Sequence, residues 1–178
     1  MSVKVIRTHE ICAGHRVVGH ESKCRHLHGH NYVFHFHVAP LRSTVSVEAP
    51  GMNKIEMALG ERNKLDEVGR VIDFSIVKST LCEWLEMNWD HKFLHWEHDK
   101  LIGSLMNFVD PATKEEMSQR DQLDFLGSLV SLPFNPTAEN LAEHMVKVVG
   151  PELLEPYGVE LVQCVIEETS KCHVEYSK

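Results

Sequence analysis

Apolar and polar positions alternate at both ends of this chain, and between them the period lengthens to that of a helix. Residues 2–18 (SVKVIRTHEICAGHRVV) are rich in Val and Ile and predict a strand, with a bulge expected near Ala13–Gly14. A polar connection, GHESKCRHL, leads into residues 28–39 (HGHNYVFHFHVA), whose alternation predicts a second strand and hence a hairpin with a long loop. Residues 40–70 are polar, charged and punctuated by Gly and Pro, an excursion with room for more strand. From Asp73, an N-cap residue type, Val77, Leu81, Trp84 and Leu85 form one helical stripe. Residues 97–133 predict short helical or mixed pieces. Thr137 opens a second firm helix, with Leu141, Met145 and either Val148 or Val149 inward, and Gly150–Pro151 predicts its end. Residues 158–168 and 171–176 read as a closing hairpin around Thr169–Ser170. Two strands, two helices and two strands make an α+β plan, with helices on one face of an antiparallel sheet.

Composition narrows the setting. The 178 residues fit one domain, 1–178, long enough to bury a core without covalent staples. A formal charge of −8 argues against a general nucleic-acid or anionic-membrane surface, since both need a basic excess. It leaves room for a small basic pocket. No apolar run approaches the length of a membrane span, and MSVKVIRTHE lacks the apolar stretch of a signal peptide. The expectation is a cytoplasmic protein. Five cysteines (12, 24, 82, 164 and 172) form no CxxC pair, and four of them are expected to be small buried hydrophobes.

Thirteen histidines is a high count, and seven of them fall between His15 and His37. In an extended chain residues two apart point the same way, so His28 and His30 can converge on one ion, with Gly29 leaving room for close backbone approach. His15 ends the preceding strand, within cross-strand reach. Three imidazoles and no fourth protein ligand describe a catalytic zinc site, because structural sites fill all four positions. A bare HxH reads equally as clustered surface residues. His35 and His37 show why, since their parity puts them on the opposite face as solvent or interface residues. His20 and His26 read as loop residues. Cys24, between Lys23 and Arg25, sits where a thiolate is favoured, although most cysteines are inert. Asp90–His91 reads as a proton-transfer pair or as an ordinary helix-end arrangement, and in isolation the second reading weighs more. Glu168 ends a strand that should be buried, so its carboxylate needs N–H donors from a ligand or from solvent.

Taken together and in order, Ala13-Gly-His15, Cys24 through His30, Ile72-Asp-Phe74, Asp90-His91, Pro136-Thr-Ala-Glu-Asn140 and Glu168-Thr169 resemble the 6-pyruvoyl-tetrahydropterin synthase / 6-carboxy-tetrahydropterin synthase family across nearly the whole chain. The resemblance implies a tunnelling fold, a four-stranded antiparallel sheet with two helices on one face, assembled into trimers and stacked as hexamers. It implies 7,8-dihydroneopterin triphosphate as substrate. On this match His15, His28 and His30 hold zinc, Cys24 moves protons at the substrate side chain with Asp90 and His91 as relay partners, Glu168 anchors the pterin ring and Thr137 helps line the pocket. The three residues between Cys24 and His28 resemble the bacterial carboxy branch of the queuosine and 7-deazaguanine pathway, a lyase reaction in which triphosphate and acetaldehyde leave. The pyruvoyl product, a non-catalytic zinc-binding scaffold and a zinc-free pterin aldolase stand as alternatives. The chain departs from the compact family pattern in two long stretches, before Ile72 and between His91 and Pro136, and in having His95 where an Asn is expected. Lys23, Arg25 and Lys92 are all near the motifs, and nothing in the sequence decides which cations grip a triphosphate.

Overall fold

The computed structural model describes residues 3–41, 44–47, 55–58, 65–110 and 112–178. Strands β1 (Val5–His15) and β2 (His28–Pro40) pair antiparallel in unbroken register from Val5↔Val38 to His15↔His28. The bulge expected at Ala13–Gly14 is therefore not there. Two glycines explain the regular passage. Gly14 faces Gly29, and a Cβ on Gly29 would lie 3.0 Å from the Ala13 carbonyl oxygen. Two short strands, β3 (Thr44–Val47) and β4 (Ile55–Ala58), pair with each other in the excursion, as a separate sheet.

Helix α1 covers 74–88 in three consecutive stretches, Phe74–Val77, Lys78–Cys82 of π form, and Glu83–Asn88. Asp73 caps it by accepting from the Ser75 N–H at 2.8 Å, and Arg70 clamps the same carboxylate at 2.8 Å. Val77, Leu81 and Leu85 are fully buried, as the stripe requires. The stretch after His91 folds into β5 (Lys92–Trp96), α2 (Lys100–Leu105), α3 (Gln119–Gly127) and β6 (Leu129–Leu132).

Helix α4 covers 138–154, again in three stretches, Ala138–His144, Met145–Val149 of π form, and Gly150–Leu154. Thr137 caps it, its hydroxyl accepting from the Asn140 N–H. Val149 is the inward residue and Val148 is half exposed. Gly150–Pro151 does not end the helix. The widened π turn just before Pro151 accommodates a ring that an ordinary turn would reject. Gly150 serves packing instead, since a Cβ there would sit 2.7 Å from Leu161 Cβ. The chain turns out at Gly158, whose φ of 67° suits glycine.

β7 (Val159–Thr169) and β8 (Cys172–Ser177) complete one six-stranded sheet in the order β6-β5-β1-β2-β7-β8. Its antiparallel four, β1, β2, β7 and β8, are the strands the alternation anticipates, and β5 and β6 extend it in parallel from the β1 edge. Helices α1 and α4 cover one face. The core between them is built on Ile11 and Ala13 of β1, Tyr32, Phe34, Phe36 and Val38 of β2, and Leu161, Cys164 and Ile166 of β7. Burying each large apolar side chain of this kind contributes roughly 1.5–3 kcal/mol. Two bulges do occur, both on β7. One leaves Val162 opposite no β2 residue, and the other leaves Glu168 opposite no β8 residue. Among the cysteines only Cys82 and Cys164 are buried, while Cys12 and Cys172 are exposed, which corrects the expectation of four buried thiols. No helix among the described residues is long and apolar enough to cross a membrane.

Candidate metal and active site

The hairpin register brings the histidines together. His15 pairs directly with His28, and His30 follows on the same face as His28, with ring centroids 4.5, 5.2 and 5.0 Å apart. One ring nitrogen from each lies within 4.8 Å of the others, a group that could hold a metal ion. Backbone carbonyls set the rings. A carbonyl can only accept, so His15 Nδ1–H donates to Pro136 O and His28 Nδ1–H to His26 O, each at 2.7 Å. Neutral rings held this way present Nε2 lone pairs, and such second contacts orient metal ligands. His15 Nε2 and His30 Nε2 are buried and have no hydrogen-bond partner. Buried polar atoms are normally satisfied, so these two nitrogens fit the role of cation ligands. Burial and the neighbouring imidazoles hold the His15 pKa down to about 4. Burial also lowers His30, with Glu168 opposing. Both rings are therefore neutral, the state in which imidazole binds metal.

Glu168, the bulged residue of β7, turns its carboxylate to 3.5 Å from His15 Nε2 and 3.8 Å from His30 Nε2. Bulges often re-aim a side chain at a site, and this one does so. A cavity of about 430 Å³ opens here, lined by His15, Cys24, Thr137 and Glu168, and by Val17, His20, Glu139, Cys172, His173 and Val174. Cys24 lies in a single 3-10 turn, Lys23–Arg25, and its carbonyl accepts from the Val17 N–H at 2.8 Å, closing the loop over the cavity. Four sequence candidates, His15, Cys24, Thr137 and Glu168, thus share one wall. His20, read from sequence as a plain loop residue, lines the same cavity.

Asp90 and His91 lie elsewhere. Trp89 ends α1, and the chain then passes through His91 at φ 55°. The pair is fastened to β1 on both sides of one residue. Asp90 Oδ1 accepts from the Cys12 N–H at 2.9 Å, and the His91 N–H donates to Cys12 O at 2.7 Å. The His91 ring donates Nδ1–H to Asp90 Oδ2 at 2.8 Å, which leaves Nε2 free on a side chain that is 80% exposed. Burial pulls the Asp90 carboxyl up, but the Cys12 and His91 N–H donors outweigh it and hold the pKa below the usual range. His91 lines a second concavity of about 490 Å³ with Cys12, Gly14, Gly29, His30 and Lys92. The two concavities flank the histidine trio and share no lining residue.

The remaining candidates separate as parity requires. His35 faces away from the trio, accepting a hydrogen bond from the Thr8 hydroxyl at Nδ1 (3.0 Å) and donating Nε2–H to Glu167 at 2.7 Å. His95, in the place of an expected Asn, is buried and donates to Trp96 O. The Lys92 ammonium is bonded to Gly127 O. Sequence reasoning passed over Tyr32. It is fully buried, edge-on to His15 and His30 at 5.7 and 5.4 Å, and burial and the Glu168 charge push its phenol far up. Its parity with His28 and His30 was the available signal.

Fold and site define a class: an α+β protein whose helix-covered sheet ends in a trihistidine centre able to hold a metal beside a carboxylate and a cysteine. Residues 4–178 match the model of the 6-pyruvoyl tetrahydropterin synthase family, and the chain belongs to that family. A Rickettsia bellii protein named 6-carboxy-5,6,7,8-tetrahydropterin synthase is 31% identical over 173 residues, covering 97% of this chain and 99% of its own. A namesake from Rickettsia felis is 30% identical over the same shares. Among solved structures, an uncharacterized Wolinella succinogenes protein superposes with a TM-score of 0.73 at 20% identity, over 100% of this chain and 99% of its own. Plasmodium vivax 6-pyruvoyltetrahydropterin synthase superposes at 0.59 with 13% identity, over 100% and 98%.

Proposed function

We propose that this chain is a zinc-dependent lyase converting 7,8-dihydroneopterin triphosphate to 6-carboxy-5,6,7,8-tetrahydropterin, with release of acetaldehyde and triphosphate. The observation that carries the reading is the pair of unpartnered imidazole nitrogens, on His15 and His30, beside the Glu168 carboxylate, with His15, Glu168 and Cys24 on one cavity. It is supported by family membership and by relatives of the carboxy name matched along nearly their whole length. His15, His28 and His30 would hold the zinc, which as a Lewis acid makes a nearby substrate hydroxyl more acidic. Glu168 accepts N–H groups from the edge of the pterin ring and so sets its orientation. Cys24 gives and takes protons at the substrate side chain. His91, with Nδ1 committed to Asp90, accepts a proton at Nε2, and the imidazolium formed is stabilised by that carboxylate.

The Asp90–His91 pair stands at the β1 edge, and β1 is paired beyond β2 only at Ala13–His15. The outer edge of β8 has no partner strand among the described residues. Open antiparallel edges invite pairing with another copy. We therefore read the protein as a homo-oligomer, a trimer or hexamer, in which His91 of one copy serves Cys24 of the next. We also read the protein as cytoplasmic and its reaction as one of the queuosine type, a reading supported by the relatives of the carboxy name.

The test is metal analysis together with turnover of 7,8-dihydroneopterin triphosphate. About one zinc per chain and stoichiometric acetaldehyde are expected. Formation of 6-pyruvoyl-tetrahydropterin without acetaldehyde would move the chain to the pyruvoyl reaction. Zinc binding without any turnover would leave a scaffold.

A further inference from the structure

The segment that leaves β1 serves two cavities with alternate residues. His15 and Val17 line the Cys24 cavity, while Arg16 and Val18 line a third cavity of about 550 Å³. Its other walls are Trp96, the last residue of β5, and His98, Asp99, Lys100 and Leu101 at the entry to α2. It shares no lining residue with either concavity beside the trio. Asn135 holds the segment in place, accepting from the Val18 N–H at 2.9 Å and donating to Val18 O at 2.8 Å.

A buried ion pair marks this cavity. Asp99 Oδ1 accepts from the Leu101 N–H at 2.9 Å, and Oδ2 stands 3.1 Å from Arg16 Nε, on side chains 1% and 16% exposed. The two atoms meet by charge without the alignment of a hydrogen bond, and both are buried with no hydrogen-bond partner. Among the described residues nothing accepts a hydrogen bond from the Arg16 guanidinium. Buried donors are normally satisfied, so Asp99 fixes a planar fork whose N–H groups are left for a ligand. The charge is uneven as well. Lys100 is exposed and forms no ion pair with any described residue, so Arg16 and Lys100 together outweigh Asp99 by one positive charge. The remaining lining is largely apolar, with the Trp96 indole edge-on to His98 at 5.1 Å, and with Val18 and Leu101 beside it. A mostly apolar cavity of this size with a few converging polar groups is the usual form of a small-molecule site. One fork and one excess positive charge match a single carboxylate, and the aromatic wall matches a ring attached to it.

We infer that the Arg16–Asp99 cavity is a second ligand site and takes an aromatic monocarboxylate, its carboxylate on Arg16 and its ring against Trp96 and Leu101, with Lys100 at the edge. This assignment does not depend on the pterin reading above. It places a second ligand on the same segment of chain that carries His15.

Cinnamate is the probe, titrated by calorimetry into the metal-loaded protein and again after metal removal, because a carboxylate also binds an open metal site. One site per chain is expected, and metal removal should leave it unchanged. Cinnamamide, the same body without the charge, should bind at least about tenfold more weakly. Lys100→Glu and Trp96→Ala should each weaken cinnamate about tenfold. Arg16→Lys, which keeps a cation on Asp99 and loses the fork, should weaken it about as much. Lys78→Glu, an exposed cation on α1, should change nothing. Lys100 is exposed and Trp96 half-buried, so their variants decide the matter even where Arg16→Lys fails to fold. The assignment is overturned by absence of binding in the wild-type protein, by binding that disappears with the metal, or by equal affinity for acid and amide. Unchanged affinity in both Lys100→Glu and Trp96→Ala, or equal weakening by Lys78→Glu, would overturn it too.

Discussion

The two concavities on either side of the histidine trio are built differently. The Cys24 cavity gathers side chains from β1, the following loop, α4, β7 and β8, and its polar groups are held by backbone contacts such as Pro136 O on His15. The His91 concavity is a strand edge. Its imidazole is 80% exposed and held by Asp90 at one nitrogen, and the pair is anchored to the Cys12 backbone. One side therefore has ligands, a carboxylate and a thiol assembled within a single chain. The other presents an acid–base pair outward. The contrast teaches that binding and proton transfer are separable here, and substitutions should separate them.

The largest effect is expected from His28→Ala. It should deplete metal and turnover together, because an open site of three ligands loses most of its affinity with one of them. A fully active, zinc-replete His28→Ala protein would end the metal assignment. Next comes Cys24→Ala, which should keep its metal and fold while turnover drops about a hundredfold or more with little change in substrate affinity, the pattern of a group acting in the transition state. His91→Ala should behave alike. Mixed assemblies of the Cys24→Ala and His91→Ala chains sharpen the comparison, since copies that share sites regain part of the lost turnover. No recovery in verified mixed assemblies would confine the chemistry to one chain. Glu168→Ala should act in the opposite sense to Cys24→Ala, weakening pterin binding first, as measured by dihydroneopterin titration.

A smaller effect is expected from pH. His15, with its pKa near 4, and His30 and His144, both lowered chiefly by burial, are neutral in the folded protein. Below about pH 6.5 the unfolded chain binds protons that these folded rings refuse. Stability of the metal-free protein should thus be complete above pH 6.5 and fall progressively as pH drops toward 4. Thermal melts across that window should show it, and His144→Leu should flatten the slope. A melting temperature that rises on acidification would contradict the burial argument. The smallest expected change is Asp73→Ala, about 1 kcal/mol from loss of the α1 cap, read by denaturant unfolding with metal content unaltered.

Much of this was legible along the chain because it depends on period. Alternation in β1, β2 and β7 reports a sheet with one covered face, and parity alone separates His28 and His30 from His35 and His37. The cap residues Asp73 and Thr137 announce both helices, since a side chain that satisfies the first N–H groups does so locally. The Cys24, Asp90 and Glu168 motifs could be matched to a family but not placed relative to one another. That Cys24 and Glu168 share a cavity while His91 opens on another follows from strand order and from the anchorage at Cys12, which are long-range contacts with no local signature. The β7 bulge that turns Glu168 toward His15 is likewise a property of pairing between strands. Helix α4 passes through Gly150–Pro151 because a π turn and the close approach of Leu161 suit them there, which the local stop signal could not convey. Local periodicity and caps determined the elements; only the tertiary structure, which sums contacts across 100 or more residues between His15 and Pro136 or Glu168, decided what faces what.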